Sequence, residues 1–256
     1  MEELLRKLVE YAEPKPKALI CVSGNTLRVK TSFIPPLEFP SAHRYEIALT
    51  SLETYYSFPN IDASNNHIKI SFDGGKSWLD IHIPVGCYEI EAINNVLQRF
   101  IMEKTGDEKP EKHIILSPNS NTLRCVLEVL DANCQVDFDV GDDSLCTVLG
   151  FAKKVYTLGR HESEHIANIL SVNSILVHCD VIESSRLNGI EAPVIYTFFP
   201  NAEPGEKIIS VPRHLIYIPL TLNIIPRMTC WVTDQNGREL NLQGEELTLT
   251  FHLKAC

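Results

Sequence analysis

At 256 residues and a formal net charge of −10, the chain has material for one large β domain or two small ones, and it is too acidic for a general nucleic-acid binder. Hydrophobic residues make up 44% and charged residues 22%, an ordinary globular balance, and no apolar run approaches membrane-spanning length. The charge is uneven: residues 1–30 hold about six basic against four acidic side chains, so the acidity belongs to the rest of the chain.

Leu4, Leu5, Leu8, Val9 and Ala12 fall on one face of a helix predicted over Glu2–Ala12, too short to stand alone and so in need of a docking surface. The same N-terminus has no secretory pattern, which predicts synthesis in the cytosol. Pro14-Lys15-Pro16-Lys17 reads as a stiff linker, followed by short strands over Ala18–Val22 and Thr26–Phe33. Pro35, Pro36 and Pro40 then mark a boundary, giving an N-terminal arm over 1–40 and a main domain over 41–256.

The first strand of that domain is predicted at Tyr45–Phe58. Tyr45, Ile47 and Leu49 share a side, and after Ser51 the phase slips to Leu52, Tyr56 and Phe58, as it does where a strand bulges or leaves its sheet. Ile68, Ile70 and Phe72 alternate up to a turn at Asp73-Gly74-Gly75, and Leu79, Ile81 and Ile83 form the return strand. A helix begins near Tyr88 with Ile90, Ile93, Leu97, Phe100 and Ile101 in one stripe, and Gly106 is placed to end it.

Strands resume at His113–Leu116, Thr122–Leu130 and Cys134–Val140, with one helical turn expected at Ser144–Leu149. Val172–Ile182 is apolar in both phases, as in a strand covered on both sides. After Pro193–Phe199, the run Leu215–Ile224 alternates cleanly through Ile216, Ile218, Leu220, Leu222 and Ile224, with Pro219 placing it at an edge or bulge. Met228, Cys230 and Val232 lead to a turn at Asp234–Gly237, and Leu247, Leu249, Phe251 and Leu253 face inward in the last strand. Nine or ten strands with one helix in a crossover define an all-β class: a single jelly-roll β-sandwich with one crossover helix and an N-terminal arm.

Chemistry is hard to find in this pattern. Eight cysteines include no C-x-x-C pair and read as buried free thiols in a reducing compartment. His161-Glu162-Ser163-Glu164-His165 fits H-E-x-x-H, which on a helix aims two imidazoles at one zinc with the glutamate as base. Gly159 leaves such a helix barely begun, and Glu183 would be a remote third ligand, so a solvated loop is the plainer reading. Asp137–Asp143 gathers carboxylates around Gly141 like a calcium loop, but the position for the bidentate glutamate is Val148. Tyr45, Tyr55, Tyr56 and Trp78 fit a carbohydrate platform less well than a sandwich core. No catalytic, cofactor-binding or metal residue is assigned, no cofactor is expected, and the residues point to a binding or assembly module.

Three sets of residues carry a resemblance. Tyr45–Ile61, Ile83–Asn94 at the proline-glycine turn into the helix, and the tail strings Leu215–Pro219, Trp231–Gly237 and Gly244–His252 resemble capsid proteins of Polinton (Maverick) elements and adintoviruses. The likeness spans about residues 44–253 and lies in the joint order of these strings. It implies the minor capsid protein, a single jelly roll forming pentamers at fivefold vertices beside a larger double-roll major capsid protein. It further implies residence in the virion capsid after synthesis in the host cytoplasm, with assembly placed in the nucleus and no direct nucleic-acid or membrane binding. The alternatives are one roll of a double-roll major protein, a host-domesticated capsid-like module, a lectin-like or trimeric cytokine-like domain, and a zinc hydrolase built on His161, Glu162 and His165.

Overall fold

The computed structural model describes residues 17–39, 44–169, 172–183, 185–187 and 189–255. Within them the chain forms two compact units, the second of which, Phe58–Ser171, is inserted in sequence between the two halves of the first. The predicted helix at Glu2–Ala12 lies outside the described residues.

The first unit opens with β1 (Lys17–Gly24), β2 (Arg28–Glu38) and β3 (Tyr45–Tyr55). The inserted unit holds β4 (His67–Ser71), β5 (Leu79–His82), α1 (Ile90–Thr105), β6 (Ile114–Asn119), β7 (Arg124–Val129), β8 (Gln135–Asp137), the single turn α2 (Cys146–Leu149), β9 (Val155–Tyr156) and β10 (Gly159–Glu162). The first unit then resumes with β11 (Ile175–Cys179), β12 (Ser185–Leu187), β13 (Ile190–Ala192), β14 (Val194–Phe198), β15 (Lys207–Ser210), β16 (Ile218–Pro219), β17 (Ile224–Thr233) and β18 (Leu247–Ala255).

In the first unit β1, β18, β3 and β15 make one sheet in that order, with β16 also on β3, and β14, β11, β17 and β2 make another. Leaving aside the β12–β13 hairpin and β16, the eight main strands counted along the chain give sheet orders 1-8-3-6 and 5-4-7-2. That is the strand order of a jelly roll, two interleaved Greek keys. The jelly roll expected from the sequence is therefore present, but its members differ. Tyr45–Tyr55 is its third strand, and residues of the expected arm supply the first two. β2 continues through Pro35 and Pro36 to Glu38 because it is an edge strand, where a missing amide donor costs no ladder bond. The helix read as a crossover of the roll belongs to the insertion.

The phase slip in β3 is real. Ser51 stands opposite Thr250 and Leu49 opposite Phe251, so Thr50 is the extra residue of a bulge. Its hydroxyl donates to the Thr250 carbonyl at 3.0 Å, and inward positions pass from Tyr45, Ile47 and Leu49 to Leu52 and Thr54. β11 is buried at all five positions because it lies between β14 and β17. The turn after β17 is built on Asp234, whose buried carboxylate accepts from the amides of Asn236 and Arg238, both at 2.9 Å, and pairs with the Arg238 guanidinium.

The insertion has a four-stranded sheet, β5-β4-β8-β9, and a three-stranded one, β10-β7-β6. Its core includes Ile68, Ile70, Ile81, Leu127, Val136 and Phe138, joined by Ile93, Leu97 and Ile101 from the apolar stripe of α1. Gly106 ends that helix in the left-handed conformation, φ 69°, with its amide on the Met102 carbonyl. The helix also caps a sheet edge: Asn94 accepts from the Leu116 amide at 2.9 Å and Gln98 donates to the Ile114 carbonyl at 2.7 Å, so β6 offers less free backbone. Asn60 draws the ends of the insertion together, donating to the carbonyls of Tyr88 and Ile169 and accepting from the Tyr88 amide.

Candidate functional site

The H-E-x-x-H stretch is extended. His161 and Glu162 lie on β10, paired with Leu127 and Val126 of β7, so no helical face gathers the two imidazoles. His161 Nε2 meets the Thr157 carbonyl at 2.7 Å, and Glu162 accepts from Asn119 and Thr122. Ser163 is buried, taking the Cys125 amide and donating to the His165 carbonyl. Glu164 accepts from Lys154, the Ala152 amide and Tyr156, and these bonds outweigh partial burial and hold its carboxyl down at about 2. The side chains of His161, Glu162, Ser163 and Glu164 are thus each engaged in local structure, and the zinc-hydrolase geometry is not formed. Asp137–Asp143 is not a closed calcium loop either: Asp137 accepts from the Asp139 amide, the Lys153 ammonium takes the Gly141 carbonyl at 2.6 Å, and Val148 is buried in α2.

The jelly roll has two unlike flanks. On one, the edge strands β1 and β2 touch, exposing Leu19 and Cys21 from β1 and Ile34 from β2. On the other, β14 and β15 are joined by the Tyr196 and Ser210 hydroxyls at 3.2 Å, with Ile209 and Val211 exposed there. The run Leu215–Ile224 departs from expectation. Only Ile218–Pro219, on β3, and Ile224, the first residue of β17, lie in strands, and the side chains of Ile216, Leu222 and Ile224 face solvent. Alternation there reads as core because period two reports a flat strand, whereas the chain bends away on either side of Pro219. Apolar surface distributed this way suits contact with other protein more than with a small molecule.

One face of the second sheet carries a row of paired residues across three strands. His178 of β11 stacks on Trp231 of β17 (ring centres 4.9 Å apart, planes 8°), and the Arg28 guanidinium of β2 lies 4.6 Å from the same ring. Glu239 holds Arg28 at 2.9 Å, and Lys30, Arg227 and Asp180 line the cavity beside it. His178 is buried, with Nε2 on the Thr233 hydroxyl at 2.9 Å. Burial first, and the Arg28 charge second, push its pKa down to about 4, against a weaker opposite pull from Glu239. The unfolded chain therefore takes this proton first. Stability contributed by neutral His178 is whole above about pH 6.5 and is lost as pH falls towards 4, a difference of roughly 3 kcal/mol. Urea midpoints followed across this window should fall in the wild type and fall less in His178→Gln; identical slopes would remove His178 as the cause.

With the topology and surfaces in view, the class is a jelly roll carrying an inserted β unit between its third and fourth main strands. No protein-family model matches the chain, and no curated protein does. Among solved structures, the fold is similar to that of the mavirus penton protein, with a TM-score of 0.52 at 7% identity over 95% of this chain and 100% of that one. Two domains of the flagellar cap protein FliD from Escherichia coli also align, over 86% of this chain and 100% of that one at 13% identity, but a TM-score of 0.20 carries no argument. The chain thus has the fold of a viral penton protein. The uncovered share of the chain is too small to be the whole insertion, so the likeness includes residues of both units.

Proposed function

We propose that the chain is a minor capsid protein, the penton subunit of an icosahedral shell encoded by a Polinton-like element or an adintovirus-like virus. The observation that carries this reading is the likeness in fold to the mavirus penton protein over 95% of this chain and 100% of that one. The Polinton assignment rests on the sequence strings at Tyr45–Ile61, Ile83–Asn94 and the tail.

In this reading five copies form a closed ring at a vertex, and the ring contacts the major capsid protein of the same element. A rotationally closed ring is heterologous: each subunit offers one flank to a different flank of the next. The β1–β2 flank and the β14–β15 flank meet that requirement, since they differ and both expose apolar side chains. The work is mechanical, involves no catalytic step, and is done in the virion.

Native mass spectrometry of the full chain over a concentration series tests the stoichiometry. A pentamer, or a monomer that becomes one as concentration rises, is the expected result; a stable dimer or trimer sinks the vertex role and returns the lectin-like or cytokine-like alternatives. In a pentamer, Leu19→Lys together with Ile34→Lys should shift the population to monomer with unchanged circular dichroism, because charge placed in an apolar contact is left unpaired.

A further inference from the structure

Asp143, the last acidic residue of the stretch that resembles a calcium loop, belongs to a different cluster within the insertion. His67 opens β4 and stands directly opposite His82 at the end of β5. The neighbouring pair is hydrogen-bonded, Ile83 amide to Asn66 carbonyl at 2.9 Å, which makes His67–His82 a non-hydrogen-bonded pair, where facing side chains come closest. Their rings stack with centres 4.3 Å apart and planes at 20°. The backbone fixes the third member. The His67 amide donates to the Asp143 carbonyl at 2.9 Å and the Leu145 amide to the His67 carbonyl at 2.8 Å, which hold the loop beside the strand.

The side chains are arranged for a cation. His67 is buried, and its Nε2 lies 2.8 Å from an oxygen of Asp80, a carboxylate also approached by the Lys69 ammonium at 3.5 Å. Its other nitrogen, Nδ1, lies 3.4 Å from Asp143 Oδ1. With its proton on Nε2 for Asp80, the ring turns the Nδ1 lone pair on a second carboxylate, a repulsive arrangement unless a positive charge comes between them. A proton on Nδ1 supplies one; so does a divalent ion.

We propose that His67, His82 and Asp143 form a binding site for a divalent transition-metal ion, zinc being the best match to two imidazoles and one carboxylate, with Asp80 orienting His67 from behind. The three residues each offer a ligand atom within 4.8 Å of the others. Tetrahedral zinc with bonds of about 2.1 Å separates its ligands by about 3.4 Å, so the His67–Asp143 spacing already fits. His82 has to swing off the face of His67 to aim its nitrogen inward, and it is exposed and free to do so. The fourth position is open to water or to a group from another molecule. Asp80 plays the part of the carboxylate that fixes a ligand histidine's tautomer. The ion would tie β4, β5 and the loop before α2 to one point.

The test is titration of the full chain with Zn2+ by calorimetry and with Co2+ by visible absorption. One Zn2+ per chain and a Co2+ spectrum without a thiolate band are expected. His82→Ala and Asp143→Asn alter half-exposed or exposed side chains and should keep the fold by circular dichroism while weakening Zn2+ binding at least about tenfold. Asp80→Asn should weaken it by about 10- to 100-fold, as for the second partner of a ligand histidine. Absence of stoichiometric uptake would mean that the cluster is held by protons alone, and uptake unchanged in both ligand variants would place the metal elsewhere; either result overturns the proposal. None of this depends on the chain being a capsid protein.

Discussion

Phe251→Ala should lower the stability of the jelly roll by about 3–5 kcal/mol, the range for removing a large aromatic side chain from a core. Phe251 is fully buried at the middle of β18, the strand between β1 and β3, and stands opposite Leu49 beside the Thr50 bulge. The extra residue in β3 interrupts the regular pairing of the two strands beside Phe251. Each unit contains one of the two tryptophans, Trp231 in the roll and Trp78 in the insertion, so each can report its own unfolding. In urea the Trp231 signal, read in a Trp78→Phe background, should shift to a lower midpoint. A loss under about 1 kcal/mol would show that the core around Phe251 collapses easily into the gap.

Gly150→Ala is the counterpart in the insertion, and it should cost at least about 3 kcal/mol. Gly150 closes α2 at φ 81°, its amide on the Cys146 carbonyl. A methyl group there would stand 2.3 Å from the carbonyl oxygen of His165, whose amide donates to the Gly150 carbonyl at 2.9 Å. Backbone on both sides cannot move apart without breaking that bond and the one from the Asn168 amide to the Val148 carbonyl at 2.7 Å. Gly106→Ala is the control, because it shares the left-handed conformation, φ 69°, with nothing near the added methyl. Only the conformational penalty of about 1 kcal/mol applies there. Equal losses in the two variants, read from Trp78, would show that the contact with His165 contributes nothing.

The parts legible in the sequence were those fixed by one-sided burial over a short span. α1 shows in the spacing of Ile90, Ile93, Leu97 and Ile101, and Gly106 ends it because only a residue free to take positive φ closes a helix so cheaply. The β3 bulge shows because a single extra residue moves Leu52 into the phase opposite to Leu49. What stayed hidden depends on pairing between distant residues. Lys17–Gly24 alternates like any short strand, and nothing local says that its partner is Leu247–Ala255. The change of unit at Ser57 and Val172 has no local signal, because strands of both units alternate alike and no linker of glycine or charge marks either crossing.

The metal cluster was invisible for the same reason. His67 and His82 face each other only once the register of β4 and β5 is known, and Asp143 joins them across a parallel bridge between His67 and Ser144. The carboxylates of Asp137–Asp143 are visible in the sequence, but nothing in that run says that His67 and His82 lie beside Asp143. The H-E-x-x-H match shows the converse, a pattern whose chemistry vanishes when the period is two instead of 3.6.

The position of β18 between β1 and β3 sets an order of events on the ribosome. All residues of Phe58–Ser171 are contiguous, so the insertion can fold as soon as it emerges. The sheet of the roll cannot close then, because its second strand across is Leu247–Ala255, made after every other strand described. Until that segment arrives, β1 and β3 both offer unpaired backbone to whatever lies nearby, including the same strands on neighbouring nascent chains. Translation of this protein on crowded polysomes therefore carries a hazard that lasts until Leu247–Ala255 emerges, and a chaperone binding the unclosed sheet would act in that interval.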